Sequence, residues 1–191
     1  MLNQAAGFLL EVVLGLFVFA AILRFYLQIV RAPFRNPLTE FVVALTDFAV
    51  RPLRRVIPGL YGLDLSSLFL AWGLEIVLLL LINGLKGVPI LTGGPHILPV
   101  IAFLALIRLA RYILYILIAA VFVQAILSWV NPYSPIAPVL DTLTRVVLRP
   151  LRKVVPLVGN VDLSPLIVFV LCQLILMLPI EWLEAAGQRL L

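Results

Sequence analysis

Residues 51–68 of the chain read RPLRRVIPGLYGLDLSSL, and residues 149–166 read RPLRKVVPLVGNVDLSPL. The two stretches are identical at ten of eighteen positions, with a constant offset of 98 residues. Each copy keeps two prolines, two arginines and an aspartate, which chance agreement between apolar sequences does not provide. The chain is therefore predicted to contain two tandem repeats. The first covers residues 1–96 and includes the outer loop that connects the repeats, and the second covers residues 97–191.

The composition indicates a membrane protein. Of the 191 residues, 64% are hydrophobic and only 12% are charged, and the mean hydropathy is +1.20. A soluble domain cannot bury so much apolar surface, so part of that surface must face lipid. Crossing a bilayer takes a helix of roughly 20 apolar residues. Four runs are predicted to do so: 5–30, 65–82, about 111–130 and 163–182.

A shorter amphipathic stretch lies between the two spans of each repeat. In the first repeat, apolar side chains recur at helical spacing from Leu38 to Phe48, and Thr39 lies on the opposite, polar face. In the second repeat they recur from Ile136 to Val147. Stretches this short and polar are predicted to lie in the plane of the interface. The predicted fold class is an all-α membrane protein of two helical hairpins, each a transmembrane helix, a cytoplasmic interfacial helix and a second transmembrane helix.

The distribution of basic residues predicts the orientation. Nine of the fourteen Lys and Arg residues lie in the two loops that carry the repeated motif. The positive-inside rule then places both motif loops in the cytoplasm and both termini outside. The nine residues are Arg31, Arg35, Arg51, Arg54, Arg55, Arg145, Arg149, Arg152 and Lys153.

The third span is ambiguous at its outer end. Residues 97–130 form an apolar run of 34 residues, which is about 51 Å as a helix and too long for one untilted span. Arg108 and Arg111 lie deep in the bilayer if the span begins at Ile97. We therefore favour an outer interfacial helix over 97–109 followed by the span, with one long third span as the alternative.

The basic residues of the repeated motif are the first candidate site. Each basic side chain near the surface contributes about 1 kcal/mol to binding of anionic lipid, and the guanidinium group suits bidentate contact with phosphate. The same residues also set the topology, and the two interpretations are compatible. The candidate lipid-facing or partner-facing residues are Arg51, Arg54, Arg55, Arg149, Arg152 and Lys153.

The aspartate of each motif is the second candidate. Asp64 and Asp162, or the serines two residues later, are predicted to cap the spans that follow. Alternatively, each carboxylate pairs with the basic residues at positions 54 and 55, or 152 and 153, of its own motif. Both interpretations give the motif a structural role.

Polar residues inside the spans are the third candidate, because ionisable groups there are costly and usually matched. Arg24 and Glu75 have similar estimated depths, which predicts an ion pair within the first hairpin. The repeat places Gln124 and Gln173 at the equivalent positions. We hypothesise a clamp in each repeat, made of charges in one and of amides in the other. Glu11 is a rival neighbour for Glu75, and two adjacent carboxylates would indicate a proton or cation site.

The doubled RPLR[RK] motif followed by DLS, each copy lying between two spans, resembles the YggT family, which includes the YlmG proteins. The resemblance covers nearly the whole chain and matches the two-repeat type of proteobacteria. It implies a protein of the bacterial inner membrane with periplasmic termini. It also implies an association with osmotic stress and ion homeostasis, with division, or with assembly of membrane proteins. Because the family supplies no catalytic residues, none are carried over.

The sequence favours a non-enzymatic role. His96 is the only histidine and Cys172 the only cysteine, so no metal or other cofactor is expected. We expect a scaffold or assembly factor whose partners are anionic membrane lipids and either other proteins or further copies of itself. The alternative is an oligomeric small channel or transporter for cations. Nucleic acid is not favoured as a partner, because lipid phosphate satisfies the same basic loops.

Overall fold

The structure, a computed structural model, describes residues 1–33, 35–57, 59, 64–88, 94–131, 133–155 and 162–191. Pro58 and Pro156 of the repeated motif lie outside the described residues. One five-residue π-helical segment, Leu176–Ile180, joins the last two α-helices. The α-helices are α1 (Leu2–Ile29), α2 (Pro37–Leu53), α3 (Leu65–Leu85), α4 (Ile97–Val130), α5 (Ala137–Val154), α6 (Ser164–Ile175) and α7 (Glu181–Gln188).

Four helical segments are long and apolar enough to cross a membrane: α1, α3, α4 and the continuous run Ser164–Gln188. In hydrocarbon every backbone N–H and C=O must be paired, and a helix pairs them within one segment. The predicted all-α fold, with four spans in two hairpin repeats, is confirmed. The segment Leu176–Ile180 contains Pro179, which has no N–H to donate to the helical ladder.

Helices α1 and α3 are antiparallel neighbours over the thickness of a bilayer. At one end the Nδ2 atom of Asn3 donates to the carbonyl of Leu85 (3.2 Å). At the other end Nε of Arg24 lies 3.5 Å from the carboxylate of Asp64. Asn3 and Arg24, and likewise Asp64 and Leu85, are 21 residues apart, which is about 31 Å along a helix and matches the hydrocarbon core.

The two amphipathic helices lie at the same end of the bundle. The hydroxyl of Tyr26, near the end of α1, donates to the carbonyl of Leu143 in α5 (2.9 Å). The side-chain amide of Asn36 donates to the carbonyl of Pro135, so the loops that begin α2 and α5 also touch. Both copies of the basic motif therefore face the same side, as the repeat predicted.

The inward face of α2 differs from the predicted one. Thr39, assigned to the polar face, is buried, and so is Thr46, whereas Phe41 and Phe48 are exposed. The burial is tolerated because the Thr39 hydroxyl donates to the carbonyl of Pro33 (3.2 Å). The face of α2 with the two threonines therefore packs on the bundle. Phe41 and Phe48 lie on the exposed side of the helix, as apolar residues do that contact acyl chains.

The favoured division of residues 97–130 is wrong, since α4 is one unbroken helix. Its outer half packs against α3 and the last span. Nη1 of Arg108 lies 3.2 Å from Oε1 of Glu75, and Nη2 of Arg111 lies 2.8 Å from Oε2 of Glu184. Because both arginines are paired inside the bundle, they need not lie at the surface.

Gly187 of α7 lies close against Leu104 of α4. A Cβ atom at position 187 would lie 2.5 Å from Cδ2 of Leu104, whereas a Cβ at Gly73 would meet no atom within 4 Å. The absence of a side chain at 187 lets the two helices meet, as small residues do in membrane bundles.

We predict that Gly187→Ala lowers the free energy of unfolding by about 1–3 kcal/mol relative to Gly73→Ala, because only the former overpacks its site. Gly73→Ala is the control, because it also places an alanine in a span helix but meets no atom within 4 Å. Denaturant unfolding in detergent micelles measures the difference. Equal stability of the two variants would contradict the close approach.

Candidate functional site

Arg24 is the centre of the first basic corner, which we define as the motif loop of repeat one with the helix ends it joins. Its side chain is only 7% exposed. Nη1 donates to the hydroxyl of Thr46 (2.9 Å) and to Oδ1 of Asp47 (3.1 Å), both on α2. Nε faces the carboxylate of Asp64 at the start of α3. One guanidinium therefore links α1, α2 and α3.

The predicted contact between Asp64 and its own motif is confirmed for Arg54, whose Nε donates to Oδ1 of Asp64 (3.2 Å). The hydroxyl of Ser67 donates to the same carboxylate (2.7 Å). Within the described residues Arg55 makes no such pair and is exposed. The motif loop is thus tied to the start of α3 by a carboxylate whose side chain is 2% exposed.

The capping hypothesis is wrong for the first repeat. Asp64 occupies the N-cap position of α3, but its side chain accepts no backbone N–H at the helix start. The alternative cap, Ser66, instead donates its hydroxyl to the carbonyl of Ile57 (2.7 Å). The Asp64 carboxylate instead faces Arg54 and Arg24, and such charge-assisted contacts are stronger than neutral ones.

The second basic corner, defined as the equivalent loop of repeat two, is more open. Nε of Arg152 donates to Oδ2 of Asp162 (2.8 Å). The predicted pair with Arg152 is therefore confirmed. Oδ1 of Asp162 also accepts the backbone N–H of Ser164 (2.9 Å), the first residue of α6, but the N-cap position itself is occupied by Leu163. The side chains of Arg152 and Asp162 are 45% and 32% exposed. Lys153 is exposed and, within the described residues, does not pair with the aspartate.

Both motif aspartates have pKa values below the ordinary range. Burial raises the pKa of Asp64, but hydrogen bonds from Arg54 and Ser67 outweigh it and lower the pKa. Burial likewise raises the pKa of Asp162, and the hydrogen bonds from Ser164 and Arg152 more than reverse that effect. Both aspartates are therefore ionised at neutral pH.

A basic groove of about 480 Å³ lies on the second corner. Arg145 is paired with Asp141 one turn away (2.7 Å), and the net charge around the groove remains positive. All six predicted lipid-facing residues are exposed at this end of the molecule. The residues that line the groove are Asp141, Arg145, Arg149, Arg152 and Lys153.

The hypothesised clamp between Arg24 and Glu75 is wrong. Arg24 is held by α2 and the start of α3, whereas Glu75 is completely buried and pairs with Arg108 of the next repeat. The prediction failed because equal depth on neighbouring helices does not establish that two side chains share a face. The rival neighbour Glu11 is exposed and makes no hydrogen bond with a described residue.

The predicted amide pair of the second repeat is also wrong. Gln124 accepts a hydrogen bond from the hydroxyl of Thr144, and Gln173 is exposed on α6. The equivalence of Arg24 and Gln124 nevertheless holds, because Thr46 and Thr144 are themselves separated by 98 residues. Each repeat thus joins its first span to its amphipathic helix through one polar side chain and an equivalent threonine.

Sequence reasoning missed the partners of the arginines in α4. Arg108 and Arg111 are three residues apart, so they lie on neighbouring positions of one helix face. Their partners, Glu75 and Glu184, come from two different spans. Two arginines within an apolar run were a signal that buried carboxylates face them, but the sequence does not say which carboxylates.

A double-mutant cycle tests whether Glu75 pairs with Arg108, as in the structure, or with Arg24, as the sequence suggested. Arg108→Leu leaves a buried carboxylate without its cation, which we expect to lower the free energy of unfolding by about 3–5 kcal/mol. Adding Glu75→Leu should recover most of that loss. The control cycle pairs Glu75→Leu with Arg24→Leu, whose effects should add. Coupling in the control cycle, or additivity in the first, would contradict the observed partners.

The lowered pKa of Asp64 makes the first corner sensitive to acid. A carboxyl group whose pKa is lower in the folded state stabilises fully above its unfolded pKa of about 4, and this contribution is lost as pH falls through the folded pKa. Asp64→Asn should therefore lower stability at pH 7 and flatten the decline of the free energy of unfolding below about pH 5. Asp141→Asn, at a half-exposed carboxylate, is the control. An unchanged acid dependence in Asp64→Asn would refute the assignment.

Comparison with known proteins identifies relatives over nearly the whole chain. A family model described as CCB3/YggT matches residues 3–85 and 103–183. Protein PA0392 of Pseudomonas aeruginosa is 39% identical over 186 residues, which are 96% of this chain and 92% of the relative. YggT of Escherichia coli strain K12 is 35% identical over 185 residues, covering 96% and 94% of the two chains.

A protein of Haemophilus influenzae is 30% identical over 168 residues, covering 87% of this chain and 86% of the relative. The names of these three relatives describe them as uncharacterized and assign no activity. No solved structure matches the chain.

Proposed function

The chain belongs to the CCB3/YggT family, and from that membership we propose that it is a non-enzymatic scaffold or assembly factor of the bacterial inner membrane. Its two basic corners hold anionic lipid head groups at the cytoplasmic face, and its spans contact partner proteins or further copies. The cellular process it serves is envelope assembly, division, or the response to osmotic stress and ion imbalance. These processes come from the family resemblance.

The observation that carries this proposal is the exposure of six motif cations on one side of the bundle. Each basic side chain near an anionic surface contributes about 1 kcal/mol, so several together give firm attachment. The Arg54–Asp64 and Arg152–Asp162 pairs hold the two corners in shape. Arg51 is paired with Asp47 one turn away (2.7 Å), whereas Arg55, Arg149 and Lys153 are exposed and available to lipid.

The cytoplasmic orientation rests on the same residues. Nine basic residues, the six of the motifs among them, lie at the end of the helical bundle that carries the two corners. The opposite end of the bundle holds Lys86 and Arg189. The cytoplasmic leaflet carries anionic lipid, and positively charged loops are retained on that side. We therefore place the corners in the cytoplasm and the termini in the periplasm.

A cation channel formed by an oligomer is the alternative. Its natural ion-binding groups would be carboxylates within the spans, but Glu75 and Glu184 are paired with arginines of α4. A carboxylate neutralised by a guanidinium is a poor cation ligand, so these two carboxylates do not favour the channel, which would have to use the exposed span carboxylates Glu11 and Glu181.

Reconstitution into lipid vesicles tests the lipid proposal. The double variant Arg149→Gln/Lys153→Gln should lose about 2 kcal/mol of the stabilisation that phosphatidylglycerol gives over phosphatidylcholine, since two surface cations are removed. Unfolding in vesicles of each composition measures this difference. Lys86→Gln/Arg189→Gln removes the same charge from the opposite end and should keep the full effect. The proposal fails if both variants respond equally to the anionic lipid.

The same vesicles separate the scaffold from the channel. Wild-type protein should pass K⁺ and protons no faster than empty vesicles. Flux that requires the protein and that Glu75→Gln alters would replace the scaffold by the channel.

A further inference from the structure

The contact between the two repeats supplies a template for a contact between two chains. In α3, the indole N–H of Trp72 donates to the carbonyl of Ala102 in α4 (3.0 Å), and Glu75 pairs with Arg108 (3.2 Å). The apolar residues Ile76, Leu79 and Leu80 of α3 belong to the same contact. The second span of repeat one is thus covered by the first span of repeat two.

The equivalent face of α6 is uncovered. The residues of α3 that meet α4 are Trp72, Glu75, Ile76, Leu79 and Leu80. At the repeat offset of 98 their counterparts are Val170, Gln173, Leu174, Met177 and Leu178, and all five are exposed. Four of the five, all except Leu178, border an open groove of about 600 Å³ together with Arg111 and Tyr115 of α4.

The surface that is complementary to this groove is exposed on α1, the first span of repeat one. Helices α1 and α4 are related by an offset of 100, since Arg24 and Gln124 bind equivalent threonines. The face of α4 that meets repeat one includes Ala105, Arg108, Leu109, Tyr112 and Ile116. Its counterparts on α1 are Ala5, Phe8, Leu9, Val12 and Leu16, and all five are exposed.

We infer that a second copy of this chain docks head to tail, with its α1 in the groove between α4 and α6. The new interface repeats the α3–α4 contact that already joins the two halves of one chain. Such a contact is heterologous, because it joins two different surfaces. A row of copies therefore keeps a free groove at one end and a free α1 at the other until it closes into a ring. The inference does not depend on the proposed role of the basic corners.

The groove also contains polar groups that lipid alone satisfies poorly. Gln173 presents an amide and Glu181 a carboxylate on the exposed side of the last span. Nε of Arg111 is buried and has no hydrogen-bond partner among the described residues. Polar side chains in hydrocarbon favour association of helices. The position of the buried Arg108–Glu75 pair is taken by Phe8 and Gln173, so docking buries no charge at that position.

Crosslinking between two differently tagged copies tests the inference in native membranes. One copy carries Phe8→Cys and the other Gln173→Cys, both in a Cys172→Ala background. The crosslinker is a short bifunctional thiosulfonate. It has to span the gap between two helices that the long side chains of Arg108 and Glu75 span in the template contact. We expect several-fold more product carrying both tags than with the control pair Phe8→Cys and Val77→Cys, where Val77 is exposed on α3 near the same depth.

Each outcome of the experiment is decisive. A two-tag product no more abundant than in the control overturns the inference. So does a predominant product between two Gln173→Cys copies, which indicates a symmetric interface. A measurement without substitutions guards against misfolded variants: wild-type protein extracted in lipid nanodiscs should contain two or more copies by native mass spectrometry. A strictly monomeric wild type also overturns the inference.

Discussion

An ionised side chain in the hydrocarbon of a bilayer is costly unless another group compensates it, and three buried charges of this protein are each compensated by a group from a different helix. Arg24 of α1 is matched by α2 and the start of α3, Glu75 of α3 by α4, and Glu184 of α7 by α4. Hydrophobic burial cannot direct the packing of spans within lipid, because the acyl chains are equally apolar. Pairs of charge therefore contribute to which spans meet, beside the close packing of small and apolar side chains.

The two repeats share a backbone plan but use different side chains to hold it. In the first repeat a buried arginine and two aspartates fill the junction between the first span and the motif. In the second repeat a neutral contact between Gln124 and Thr144 does so, and the Arg152–Asp162 pair is left half exposed. The first corner thus ties three helices together through buried charges, whereas the second leaves most of its positive charge exposed.

Several features were predictable because they depend on local pattern alone. The number of spans follows from runs of apolar residues, and the shared side of the two corners follows from the repeat with its even number of crossings. The Arg54–Asp64 and Arg152–Asp162 contacts were predictable as well, since ten residues across one loop leave few alternatives. The length of α4 was not predictable, because a 34-residue helix with two arginines fits the bilayer only if carboxylates from other spans lie opposite them.

The sequence by itself determined the class of the protein, its two repeats and the chemistry of the corners. It also determined that both corners lie at the same end of the bundle. Composition, periodicity and local spacing are enough to decide these features. Only the tertiary structure decided that Glu75 meets Arg108 rather than Arg24, and that Gln173 lies open beside α4. The physical reason is rotational. Depth along a helix can be counted in residues, but the neighbour that a side chain meets depends on how each helix is turned about its axis, and that rotation follows from the packing of all the helices together.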